Sequence, residues 1–187
     1  MADDTFEDWT RRLRDADTAA LDELMAAWHH PLLRYATQLT GDRDAAYDVL
    51  QETFIKLWRL RATLDPSRSL KALLYRIVYT LALNQNRMKK RESAALSALA
   101  SEAPASRSPV SEELDARRLN DAMNEWIAEL PPRRQEAFRL SRFEGLSHDE
   151  IAQVMDLSAE TVTKHIVLAL QYLRDRLRQY QLGGLSS

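Results

Sequence analysis

The 187-residue chain has no cysteine, which excludes disulfides, thiolate metal sites and thiol redox chemistry. Glycine is scarce at four residues, and no Gly-rich phosphate loop is present. No apolar run approaches the ~20 residues needed to span a bilayer. The opening MADDTFEDW is acidic and lacks the basic-then-apolar order of a secretion signal. The expectation is a cytoplasmic protein in a reducing environment. Of the four histidines (His29, His30, His148 and His165), the adjacent pair His29 and His30 lacks acidic partners at metal-ligand spacing. No nucleophile–base constellation is visible either. The chain is therefore expected to hold no metal or cofactor, to take no small-molecule substrate and not to be an enzyme.

What is present is ordinary globular composition, with 45% hydrophobic and 29% charged residues. Helical periodicity and sparse turn signals predict an all-α fold of two small domains joined by a linker. The net charge of −2 hides a strong polarity. Residues 1–55 hold 12 acidic and 5 basic side chains, whereas residues 66–91 hold seven basic ones and no acidic one.

The first half reads as a helical bundle over 1–91. Phe6, Trp9 and Leu13 mark a short helix, and Asp17 or Thr18 caps the next, which Pro31 should end or kink. Asp42 or Asp44 caps a third helix with a broad apolar stripe, LDPSRS (64–69) is a loop, and helix resumes to about Arg91. Residues 92–111 are rich in Ala, Ser and Pro, which is linker composition, with a short helical turn expected around Ala94–Leu99. Residues 112–187 form the second domain, ending in a long helix to about Tyr180 and a frayed tail.

Three stretches carry chemistry. In GLSHDEIAQVMDLSAETVTKHI (145–166), Ser147 and Glu150 form a capping box. A turn at Asp156 calls for positive φ, which Asp tolerates. Val162 and Ile166 anchor a second helix whose exposed half offers Ser158, Glu160, Thr161, Thr163, Lys164 and His165. This is helix-turn-helix spacing, with groups suited to base edges and phosphates, although a helical hairpin in a bundle gives a similar pattern. The basic helix LKALLYRIVYTLALNQNRMKKRE (70–92), with Arg68 just before it, interleaves Lys71, Arg76, Arg87, Lys89, Lys90 and Arg91 with Tyr75, Tyr79 and Asn84. Cations beside rings and amides suit single-stranded DNA, and cations at a helix C-terminus also complement its dipole. In DVLQETFIKLWR (48–59), Asp48, Gln51, Glu52, Ile55, Lys56 and Arg59 line the face opposite the apolar stripe. Ile55 exposed among charges hints at a partner surface.

These three stretches, in this order, resemble a bacterial sigma factor of the extracytoplasmic-function (ECF) type, over roughly residues 15–91 and 112–180. The resemblance implies contact with core RNA polymerase, through its largest-subunit clamp helices and its flap. It carries clamp contact onto Asp48, Gln51, Glu52, Ile55 and Arg59. It implies that the loop and basic helix open promoter DNA and hold the non-template strand of the −10 element through Arg68, Lys71, Tyr75, Arg76, Asn84, Arg87, Lys89, Lys90 and Arg91. It implies that the helix-turn-helix reads the −35 element, and that an anti-sigma factor is a further partner. Leu73, Thr80, Asn84, Thr163 and His165 depart from residues frequent in the family, a difference that bears on promoter sequence rather than class. The readings from other classes are a different helix-turn-helix regulator and a helical protein-binding adaptor.

Overall fold

The computed structural model describes residues 2–96 and 114–184. These residues form eight α-helices, with no strand among them. The helices are α1 Ala2–Arg14, α2 Thr18–Thr40, α3 Arg43–Leu60, α4 Leu70–Leu96, α5 Leu114–Ala128, α6 Pro132–Arg142, α7 His148–Met155 and α8 Ala159–Gly184, and a 3-10 turn, Arg61–Thr63, follows α3. No helix among the described residues is long and apolar enough to cross a membrane. The chain divides into two compact units, one carrying α1–α4 and the other α5, α6 and α8, with Ala152–Asp156, the end of α7 and the turn residue after it, grouped with the first.

In the first unit α2 packs on both α3 and α4, burying Leu24, Leu32, Tyr35, Leu57, Leu74 and Val78 completely. The helix boundaries follow from side-chain caps. The Asp17 carboxylate accepts the Ala19 N–H at 2.9 Å to start α2. Asp42 accepts the N–H groups of Asp44 and Ala45 to start α3. Between them Gly41, at φ 68°, closes α2 by donating its N–H to the Thr37 carbonyl. Nothing lies within 4 Å of the place a Cβ would take there, so the left-handed backbone rather than lack of space selects glycine.

Of the two outcomes expected at Pro31, an end or a kink, the end does not occur: α2 continues to Thr40. Proline removes one N–H donor, and the buried Leu24, Leu32, Leu33, Tyr35 and Ala36 on either side of it hold the helix in place. Helix α4 runs to Leu96, past the end expected near Arg91 and into the stretch where a short helical turn is expected (Ala94–Leu99), because Ala94, Ala95 and Leu96 are strong helix formers. The rest of the expected linker, 97–111, lies outside the described residues.

The second unit is built on Trp126, Ile127, Leu130, Phe138, Ala169 and Leu173. Pro132 occupies the first turn of α6, where its missing N–H costs nothing. Gln135 Nε2 donates to the Ile127 carbonyl at 2.8 Å, tying α6 to the end of α5. Glu129 accepts from the Tyr172 hydroxyl and pairs with Arg176 at 3.0 Å, tying α5 to α8. Helix α8 continues to Gly184, beyond the end expected near Tyr180.

Candidate nucleic-acid and protein-docking surfaces

On α3 the buried residues Val49, Leu50, Thr53, Phe54 and Leu57 fix the inward face. Asp48, Gln51, Ile55 and Arg59 are thereby exposed on the other side, and Glu52 is half-buried. Ile55 is 45% exposed. It belongs to an open groove between α2 and α3, lined by Leu21, Met25, Phe54 and Trp58 with Gln51 and Arg59 at its rim. An exposed apolar groove bordered by polar groups is the form of a protein-docking site. Leu21 and Met25 stand at i, i+4 and make one stripe on α2, but only the packing shows that it borders α3.

The start of α4 is fixed by Ser69, whose Oγ accepts the Ala72 N–H at 3.1 Å. Arg76, Thr80, Asn84, Arg87 and Arg91 then recur every three or four residues and share one exposed face. Arg68 is exposed before the helix and Lys71 is half-buried in its first turn. The structure takes one expected residue, Tyr75, out of the strand-facing set. Tyr75 is 1% exposed and meets Tyr35 and Trp28 edge to face, so it belongs to the core and no base can stack on it. Lys89 pairs with Asp42 at 3.4 Å, and beside it Asn86 donates to the Leu39 carbonyl at 2.7 Å. Both contacts brace α4 against the α2–α3 corner. The side chain of Lys90 lies outside the described residues.

The helix-turn-helix is assembled by short-range bonds. Ser147 N–H donates to Glu150 Oε2 at 2.8 Å, and Glu150 N–H donates to Ser147 Oγ at 3.2 Å, which completes the expected capping box. Asp156 takes φ 55° in the turn, as its position there predicts. Val162 and Ile166 are buried.

The hydroxyls expected to meet DNA each hold a bond within the chain. Ser158 Oγ accepts the Thr161 N–H at 3.2 Å and shares a 2.8 Å hydrogen bond with the Thr161 hydroxyl. Thr163 donates to the Ala159 carbonyl and contacts His148 Nδ1, both at 2.9 Å. Glu160 and Lys164 are exposed charges at the start of the second helix. His165 is half-buried. Burial, then the nearby positive charges of Arg134, Arg133 and Lys164, hold its imidazole below the usual histidine range and favour the neutral form. Arg133 and Arg134, on α6, were missed by the sequence reading, since nothing in their spacing points to α8. Among the described residues no group of His, Asp or Glu is placed to hold a metal ion.

Residues 24–92 match the family model "Sigma-70 region 2", and residues 121–173 match "Sigma-70, region 4". The chain is 27% identical over 180 residues to the RNA polymerase sigma-H factor of Pseudomonas aeruginosa, covering 89% of this chain and 91% of that one. It is 30% identical over 168 residues to the ECF RNA polymerase sigma factor SigE of Mycolicibacterium smegmatis, covering 88% of this chain and 65% of that one. Among solved structures it is similar to the sigma factor RpoE in a co-crystal with the anti-sigma factor NepR from Bartonella quintana. The TM-score is 0.64 at 23% identity, over 84% of this chain and 96% of that one, a likeness of fold. The chain belongs to the sigma-70 family of RNA polymerase sigma factors, in its ECF group, and is an alternative sigma factor for transcription initiation.

Proposed function

We propose that the three surfaces divide the work of promoter-specific initiation among residues 1–91, a linker 92–111 and residues 112–187. The α2–α3 groove, with Asp48, Gln51, Glu52, Ile55 and Arg59 around it, docks on the clamp helices of core RNA polymerase. Arg68, Lys71, Arg76, Asn84, Arg87 and Arg91 hold the non-template strand of the downstream element while the 64–69 loop takes a base flipped from the stack. Helices α7 and α8 sit on duplex DNA at the upstream element, with Lys164 on phosphate and Glu160 and His165 toward base edges. The second unit also meets the polymerase flap. The protein works in the cytoplasm without catalysis of its own. An anti-sigma factor restrains it by covering these surfaces, as NepR accompanies RpoE.

The observation that carries this reading is the single exposed row Arg76–Asn84–Arg87–Arg91 on α4. It lies in the same unit as an apolar docking groove and in the same chain as a capped helix-turn-helix. Run-off transcription with purified core polymerase on a pool of genomic fragments tests it. The expected result is a set of new transcripts whose promoters share two spaced elements. If the chain neither binds core nor alters initiation when no anti-sigma factor is present, the reading fails.

A further inference from the structure

The stretch between α3 and α4 reads as a loop, yet nearly every residue of it is tied down. Arg61 lies over the Trp58 ring at 4.4 Å and donates to the Trp58 carbonyl at 2.8 Å. Thr63 donates to the Leu60 carbonyl at 2.8 Å, and Leu64 N–H to the Arg61 carbonyl at 3.2 Å. At the far end Ser69 caps α4. Leu64 and Leu70 are buried and pin the two ends. Between these anchors the exposed residues Ser67 and Arg68 both bond to Asp65, Ser67 through the Asp65 side chain. Asp65 Oδ1 accepts both the Ser67 N–H at 2.9 Å and the Ser67 hydroxyl at 2.7 Å. The Asp65 carbonyl accepts the Arg68 N–H at 3.0 Å, and Oδ2 stands 3.7 Å from Arg68 Nε. Pro66 restrains the same turn by fixing its own φ and keeping Asp65 out of helical backbone.

We propose that Asp65 is a positioning residue that holds the 64–69 loop in its strand-binding shape before DNA arrives. The inference rests on the promoter-reading role assigned above to this loop. A slack loop would have to be ordered on binding, drawing on the same free energy that must extrude a base. A loop ordered in advance leaves that free energy for the strand. The carboxylate is a costly group to place beside phosphates, which argues against Asp65 itself touching DNA and for its acting through Ser67 and Arg68. Its two hydrogen bonds from Ser67, the side-chain one foremost, together with the positive charges of Arg68 and Arg14, hold the Asp65 carboxyl below the usual range. It is therefore ionised at neutral pH and available as an acceptor.

The test compares Asp65→Ala and Asp65→Asn in the full chain. Hydrogen exchange of the Ser67 amide reads the free protein. Affinity for core polymerase, and affinity of the holoenzyme for a labelled non-template single strand from a promoter found by run-off transcription, read the complex. Asn keeps an oxygen that can accept from Ser67 and Ala does not. Asp65→Ala should expose the Ser67 amide and weaken strand binding about tenfold, with core affinity unchanged. Asp65→Asn should stay within about twofold of the parent on every readout. Faster exchange with unchanged strand affinity would overturn the proposal, because the order of the loop would then not matter to DNA. Equal losses in Asn and Ala would also overturn it, because charge rather than the turn would carry the effect. A parent holoenzyme that fails to bind the strand at all sinks the promoter-reading role as well as the inference, a result distinct from the other two.

Discussion

Tyr75 meets Tyr35 at 5.0 Å and Trp28 at 6.3 Å, and this aromatic group sits at the centre of the first unit. Replacing Tyr75 with Ala should cost about 3–5 kcal/mol of stability, whereas Phe, which keeps the ring, should cost under ~1.5 kcal/mol. Urea unfolding of the full chain measures both. Single-strand affinity of the Phe variant should match the parent, since this ring faces the core and not DNA. In sequence Tyr75 stands within a basic, amide-rich run and looks like a stacking platform. Helix α4 is buried along Leu70, Leu74, Ile77 and Val78 but also at Ala72, Tyr75 and Ala82. Period alone shows the first stripe; the second exists because more than one helix packs on α4. The hydroxyls of the second DNA-facing helix teach the same lesson. Residue type shows that Ser158, Thr161 and Thr163 can bond, and only geometry shows what they already bond. Thr163→Val should therefore lower stability by about 1 kcal/mol and shift upstream-element affinity, read by fluorescence anisotropy, far less than Lys164→Ala does.

Helix α1 is joined to α2 by a cluster of charges. Arg12 pairs with Asp17 at 2.8 Å and grips both oxygens of Glu23 at 2.9 Å, while Trp9 Nε1 donates to Glu23 at 3.2 Å. The Arg12 hydrogen bonds, before any other cause, hold the Asp17 and Glu23 carboxyls below their usual range. Both groups then bind protons less readily in the fold than in the unfolded chain. Their contribution is full above the unfolded carboxylate pKa values of about 4 and fades as pH falls through the lower folded values. Thermal unfolding should show Tm falling across that acid window, and the fall should be shallower in Arg12→Met. Helix boundaries were largely legible because caps are local: Asp17, Asp42 and the Ser147–Glu150 pair act within three residues of themselves. Whether Pro31 ends its helix was not legible, because the outcome depends on what buries the helix around it, and that information is not local.

Across the molecule, charge is sorted by surface. The acidic excess of residues 1–55 contrasts with the seven cations of 66–91, and Lys164 stands alone as the exposed cation among the residues proposed to read the upstream element. Counterion release gives this sorting a measurable form. Lys164→Ala should reduce the salt slope on upstream duplex DNA by about 0.9, and Arg87→Ala should reduce that on the downstream single strand by about 0.7, for one phosphate contact each. Titrating holoenzyme against each DNA at several salt concentrations separates the two surfaces. A slope change on the wrong DNA would contradict the assignment. The fold class, the order of the three stretches and the polarity of charge were all legible, because each is written in runs of ten residues or more. Which cations already meet an acid was not: Lys89 looks like Arg87 in sequence, and only the fold brings Asp42 opposite it.

Asp42 has a wider consequence. Its carboxylate starts α3 through Asp44 and Ala45 and also meets Lys89 near the far end of α4. One side chain thus joins the start of the proposed polymerase-facing helix to the far part of the proposed strand-facing helix. A genetic screen for loss of core binding and an independent screen for loss of promoter opening would be expected to share few positions, and Asp42 is the position at which they should converge.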